Sequence, residues 1–157
     1  MLRIKMIVVD RTRAPFLREG ETLFQDRIRR YARLEWIEVR PVRITKGRPE
    51  AYVLELEGRE ILRRVRPADY SVALDRCGKV FDSEELARWL DRLSSEVRGS
   101  ICFITGSPLG LSREILERSN MTLSLSRLTF THEMTRLLLL EQIYRALTII
   151  RGEKYHK

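Results

Sequence analysis

Short apolar runs alternate along this chain with segments whose apolar positions recur every three or four residues. "LRIKMIVV" (2–9) is apolar and rich in β-branched residues, which predicts a strand. "ETLFQDRIRRYA" (21–32) then sets Phe24, Ile28 and Tyr31 at i, i+4 and i+7, the stripe of one helix face. "EWIEVRPVRI" (35–44) reads as a second strand in which Pro41 marks an edge or an end, and the loop "TKGRP" follows. "EAYVLELEGREILRRV" (50–65) predicts a charged helix with Leu54, Ile61, Leu62 and Val65 on one face, weakened by Gly58.

"YSVALD" (70–75) predicts a third strand, and "RCGKVF" a turn. The next helix opens at Asp82, where Glu85 three residues on completes a capping box, and Leu86, Leu90 and Leu93 form its buried stripe. "SICFIT" (100–105) is continuously apolar, as a strand covered on both faces would be, and ends in the loop "GSPLG". A short helix (112–119), a strand (121–126), a polar stretch and a long apolar helix (134–150) complete the order, leaving the tail "RGEKYHK". This alternation predicts an α/β fold, a mostly parallel sheet with helices on both faces, in a single domain spanning 1–157. Ligands in such sheets bind outside the carboxyl ends of the strands, which singles out the loops 75–80, 105–111 and 126–133.

Composition narrows the class. With 43% hydrophobic and 33% charged residues the sequence is that of a globular domain, and no apolar run approaches the ~20 residues of a membrane span. The apolar start of the chain is short, is broken by Lys5 and lacks a small-residue cleavage site, so a cytoplasmic location is expected. Cys77 and Cys102 form no C-x-x-C motif and have too few histidine partners for a zinc site; both are expected to be reduced, and Cys102 to lie in the core. The net charge of +8 is concentrated in residues 1–66, which hold 17 Lys+Arg against 10 Asp+Glu. Of the 30 basic residues 25 are arginine, whose fork suits phosphate and base stacking. A polyanionic partner is expected.

The candidate chemistry is thin when each motif stands alone. "ITGSPLG" lets the backbone turn tightly after a strand, but it is neither a P-loop nor a G-x-G-x-x-G fingerprint. Asp75 is placed either to cap a turn or to act as an acid or base. In "SLSRLTFTHEMT" (124–135) the hydroxyls exceed what one helix cap needs, with His132 at the positive end of the last helix. Glu141 and Arg145 make an i, i+4 pair. Leu137–Leu140 with Ile143, Leu147 and Ile150 form an apolar wall wide enough for a second packing partner, such as a subunit.

Taken in order, "LDRCGK", "SEELA", "ITGSPLGLS" and "SLSRLTFTHEMTRLLLLEQIYRALTIIRGEKYHK" resemble the ribosomal RNA large-subunit methyltransferase H family, a minimal member of the knotted SPOUT class. The likeness runs along nearly the whole chain and is most specific from Ser124 to Lys157. It implies a C-terminal trefoil knot, a homodimer, and S-adenosylmethionine held by the knot loops at Leu74, Gly106, Leu125, Ser126, Arg127, Leu128, Thr129 and Phe130. The implied reaction is methylation of N3 of a pseudouridine in 23S-type large-subunit ribosomal RNA on the assembled ribosome. His132, Arg145, Tyr155 and His156 are then the catalytic set, with Lys154 and Lys157 on RNA phosphates.

Two positions depart from the family's pattern. Ser107 stands where the loop usually has a second glycine, which costs about 1 kcal/mol or more if the position needs φ > 0. Thr131 replaces a proline common before the histidine. Two other readings compete: an RNA-binding or ribosome-associated module that kept the fold and lost the cofactor, and a basic hydrolase using His132. The hydrolase lacks a nucleophile motif such as G-x-S-x-G.

Overall fold

The computed structural model describes all residues 1–157. The chain runs β1 (Arg3–Val9), α1 (Pro15–Ile28), β2 (Arg33–Val39), α2 (Glu50–Leu62), β3 (Tyr70–Val80), α3 (Ser83–Glu96), β4 (Ile101–Thr105), α4 (Arg113–Arg118), β5 (Met121–Ser124) and α5 (His132–Ile150). The five strands form one sheet in the order β2-β1-β4-β3-β5, and every pairing is parallel. The expected α/β architecture is thus observed.

Period-two alternation in β1 divides the core between the two faces of the sheet. Ile4, Met6 and Val8 join the larger cluster, which α1, α3 and α5 cover through residues such as Ile28, Leu90 and Leu140. Ile7 and Val9 point the other way, to the smaller cluster closed by Ile61 of α2 and Ile115 of α4. Because helices cover both faces, β4 reads as a continuous apolar run and β1 as one interrupted after Arg3 only by Lys5. Within one chain α5 packs on both α1 and α3, so much of its wide apolar wall is used internally. No helix is long and apolar enough to cross a membrane.

Several elements depart from the sequence expectation. The first helix starts at Pro15, six residues earlier than the apolar stripe suggested, with proline near its first position and Leu17 and Glu21 buried. The second strand ends at Val39, before Pro41. Helix α2 buries Val53, Glu57, Gly58 and Ile61, while Leu54, Leu62 and Val65 are half-buried. A buried glutamate had disguised the true face: one Glu57 oxygen accepts from the Val42 N–H at 3.2 Å. The segment read as a turn after Asp75 is a bulge in β3, whose register against β5 jumps between Leu74 and Lys79 before pairing resumes. Strand β5 stops at Ser124 rather than 126, and α5 begins at His132. The capping box of Asp82 and Glu85 forms as expected.

At the amino ends of the strands Lys5 is buried against Asp69, at 2.6 Å, with each side chain 1% exposed. Asp69 also accepts from the Arg66 and Ser100 N–H groups, so one carboxylate ties β1 to the segments that precede β3 and β4. Burial pushes the Asp69 carboxyl up, but these hydrogen bonds and the Lys5 charge outweigh it and hold the group below its ordinary range. Asp69→Asn is expected to lower the unfolding free energy by roughly 2–3 kcal/mol at neutral pH, because it leaves a buried ammonium without its counter-charge. The folded group binds its proton less readily than the unfolded one, so wild-type stability is full above the unfolded carboxylate pKa and is lost as pH falls through the lower folded value. Urea titrations at neutral and acid pH check this: the two proteins should converge in acid, and equal stability at neutral pH would remove the pair from the account.

Candidate cofactor site

The three suspect loops meet in one cleft of about 790 Å³ at the carboxyl ends of β3, β4 and β5. Its volume falls in the range of small-molecule sites, roughly 300–1,000 Å³. The β3 bulge contributes Leu74, Asp75 and Arg76; the loop after β4 contributes Thr105 to Gly110. The segment between β5 and α5 supplies Leu125, Ser126 and Leu128 to Thr131, and the start of α5 adds His132, Glu133 and Thr135.

Gly106 has no room for a side chain. A Cβ there would lie 2.3 Å from the Gly110 carbonyl oxygen, because the loop folds back on itself and the Gly110 N–H donates to the Ser107 carbonyl at 2.8 Å. The positive φ that this turn requires, 86°, falls on Gly110. Asp10 is the one non-glycine residue with positive φ, so Ser107 carries none of the strain that its replacement of glycine suggested. Its side chain is buried and its hydroxyl faces the Leu109 N–H at 3.4 Å.

The hydroxyls that crowd the segment before α5 divide by task. Ser124 donates to the Ser126 carbonyl at 2.9 Å, and the Ser126 hydroxyl accepts from the Leu128 N–H at 3.0 Å, which shapes the loop. Thr131 caps α5 by accepting from the Met134 N–H at 3.2 Å. A threonine therefore serves here where a proline was expected. Thr129 lines the cleft.

Of the residues assigned to the cofactor, Leu74, Gly106, Leu125, Ser126, Leu128, Thr129 and Phe130 line this cleft; Arg127 is exposed and does not. Of the catalytic set, His132 lines it, half-buried, and burial together with the neighbouring Arg136 charge holds its imidazole below the ordinary pKa. It is therefore neutral at neutral pH and able to accept a proton.

Arg145, Tyr155 and His156 gather elsewhere. Arg145 binds Glu141 at 2.5 Å, stacks over the Tyr155 ring at 4.8 Å and reaches His156 Nδ1 at 3.4 Å, while the Tyr155 hydroxyl donates to Glu141 at 3.0 Å. Burial and that bond to Glu141 raise the Tyr155 pKa, so the phenol is a donor rather than a base. At a helical rise of roughly 1.5 Å per residue, Arg145 lies about 20 Å along α5 from His132. Within one chain the four do not meet. The tail itself is not frayed: Gly152 ends α5 in a Schellman motif, with Gly152 N–H to Ile149 and Glu153 N–H to Thr148, and Tyr31 donates to Glu153 at 2.7 Å. Lys154 and Lys157 are exposed.

Two features escaped the sequence. The Thr105 hydroxyl, on a side chain that lines the cleft, is buried and has no partner. Arg136 is fully buried, donating to the Thr12 hydroxyl at 3.0 Å and to the Val9 carbonyl, while Thr12 donates to the buried Glu21 at 2.6 Å. Glu133 accepts from the Arg13 and Ala14 N–H groups ahead of α1, so the start of α5 is pinned to the end of β1. An arginine one turn beyond His132 in an apolar helix carried no signal of this role.

The family model described as predicted SPOUT methyltransferase matches residues 2–156. Proteins named ribosomal RNA large subunit methyltransferase H from Pelotomaculum thermopropionicum and Carboxydothermus hydrogenoformans are 42% and 41% identical to this chain, covering 99% of it and 99% and 100% of themselves. The chain belongs to the methyltransferase H family of the SPOUT class. Among solved structures, this SPOUT methyltransferase superposes on a probable methylase family protein from Haemophilus influenzae with a TM-score of 0.58 at 12% identity, over 98% of this chain and 70% of the other. A probable methyltransferase from Bordetella pertussis gives 0.55 at 15% identity, covering 93% and 96%. At such identities the superpositions speak for the SPOUT fold alone.

Proposed function

We propose that this methyltransferase uses S-adenosylmethionine to methylate N3 of a pseudouridine in 23S-type large-subunit ribosomal RNA, on the assembled ribosome, in the cytoplasm. The observation that carries the reading is the convergence of three separate loops on one cleft at the strand ends. The residues there suit the cofactor: Leu74, Leu125 and Phe130 offer apolar surface, the glycine-bearing loop exposes backbone groups, and the unpartnered Thr105 hydroxyl awaits a polar contact. When bound, S-adenosylmethionine supplies an activated methyl group on a sulfonium.

The protein's share is then alignment and proton handling. Holding nucleophile and methyl in line is worth about 7–11 kcal/mol. His132, neutral in the cleft, is the residue that accepts the N3 proton, while Arg145, Tyr155 and His156 orient the base and Lys154 and Lys157 meet phosphates. Their distance from His132 along α5 supports a homodimer in which a second copy delivers its α5 end and tail to this cleft. Phe16 and Leu23 of α1 support the same reading, being 67% and 48% exposed beside α5. Between them Gly20 lies so close to Leu137 that a Cβ would sit 2.9 Å from its side chain. The trefoil knot belongs to this reading as well.

The test is calorimetric titration with S-adenosylmethionine, followed by transfer of labelled methyl to ribosomes lacking the modification. Saturable binding and label in large-subunit RNA are expected. Binding without transfer to ribosomes would remove the substrate assignment, and absence of binding in folded protein would remove the cleft. The non-enzymatic reading rested on strain at Ser107, and Ser107 is not strained.

A further inference from the structure

A second depression, of about 640 Å³, opens at the end of the sheet opposite the cleft, where the strands begin. Arg3, Arg29, Arg33, Arg66 and Arg98 line it, against two carboxylates, Glu35 and Asp69. Asp69 is already spent on the buried Lys5. Arg29 pairs with Asp26, whereas Arg3, Arg33, Arg66 and Arg98 join no ion pair.

Those four stand at or just ahead of the starts of four neighbouring strands. Arg33 opens β2, Arg3 opens β1, Arg98 precedes β4 and Arg66 precedes β3, following the spatial order of the sheet. Arg3 and Arg33 are direct partners across the β1–β2 ladder, a like-charge pairing that costs stability unless an anion screens it. At about 4.8 Å between strands, the starts of these four strands span about 14 Å.

The base beneath this row is rigid. Asp69 holds the Arg66 and Ser100 N–H groups, and Gly99 donates to the Ala68 carbonyl at 3.0 Å. A Cβ at Gly99 would meet that carbonyl at 2.4 Å, so the two segments bearing Arg66 and Arg98 are pressed together. No aromatic side chain lines the depression, so it has nothing on which a base could stack.

We propose that this arginine row is a second RNA contact, gripping the phosphate backbone of a double-helical segment without reading its sequence. A row of four arginines across four strand starts can meet several phosphates of a backbone, which exceeds the size of one small anion. Arginine forks bind phosphate oxygens in pairs, and such contacts fix position rather than specificity. Arg3 lies five residues before Val8, the partner of Thr105 in the cleft, so at roughly 3.3 Å per residue the row is about 17 Å from the cleft. It therefore docks RNA remote from the methylated nucleotide. The inference rests on ribosomal RNA being the substrate.

The test compares wild type with Arg33→Glu/Arg98→Glu, and with Arg33→Lys/Arg98→Lys, in three measurements. The first is S-adenosylmethionine affinity, which all three proteins should share, showing that the fold and cleft are intact. The second is methyl transfer to ribosomes, where the glutamate variant should raise KM at least ~10-fold with kcat unchanged and the lysine variant should restore most of the loss. The third is binding of a short RNA duplex against salt, where the slope of log affinity should fall by about two for two lost phosphate contacts. Unchanged KM and salt slope in the glutamate variant would overturn the row. If wild type fails to methylate ribosomes, the reading of the cleft's substrate fails instead, and the duplex measurement still decides the row.

Discussion

A Gly106→Val protein is expected to lose S-adenosylmethionine binding by at least ~100-fold, about 2.7 kcal/mol, while remaining folded. The cause is local. The first side-chain carbon would meet the Gly110 carbonyl at 2.3 Å, so the loop after β4 must open, and the valine methyls then occupy the space the loop had enclosed. Both strand β4 and helix α4 are anchored independently, the one between β1 and β3 and the other by the Ser112 cap that accepts from the Ile115 N–H. Calorimetry for the ligand and circular dichroism for the fold separate the two effects. Affinity within a few-fold of wild type would move the cofactor to another site.

Removing residues 154–157 should have a different signature: cofactor affinity within about 3-fold of wild type, and methyl transfer reduced by at least ~1,000-fold, about 4 kcal/mol. Those residues lie away from the cleft of their own chain. Tyr155 and His156 dock on Arg145 and Glu141, near the far end of α5. Their loss therefore leaves the cofactor loops untouched and removes groups that, in the proposed dimer, reach the partner's cleft. A mixture of the truncated protein with His132→Ala protein, each inactive alone, should regain activity in hybrid dimers that contain one complete site. Full activity of the truncated protein would strip the tail of any part in the reaction, and no recovery in the mixture would place the tail and His132 in one chain's reaction path.

Fold class was legible because β1 and β4 are buried on both faces and so read as apolar runs, with amphipathic helices between them. What misled were polar residues in buried places. Glu21 and Glu57 interrupt the apolar stripes of α1 and α2, and Arg136 looks like a surface cation in a helix that hides it completely. Each is sustained by partners distant in sequence, such as Thr12 or Val42, which periodicity cannot see. The cleft was foreshadowed because a parallel sheet gathers its carboxyl-end loops, and three of those loops were rich in glycine or hydroxyls. The bulge in β3 was not, because "RCGK" has turn composition and the return of the chain to β5 at Lys79, opposite the same Leu123 that Leu74 faces, is a pairing that composition does not show. The unpartnered Thr105 hydroxyl gave no sign either, being one more residue of an apolar strand.

Helix α5 supplies Leu139, Leu140, Ile143, Ala146 and Leu147 to the larger core, and through Arg136 and Glu133 it also fastens the start of α1 to the end of β1. Without it the larger-core face of the sheet would keep only α1 and α3 as cover, and the cleft would lose His132, Glu133 and Thr135 from its wall. Core, cleft wall and the join between β1 and α1 therefore hang on one element, and local unfolding of α5 would undo all three together. No state of this chain keeps the cleft while losing α5: the lifetime of the cleft is the lifetime of the packed domain.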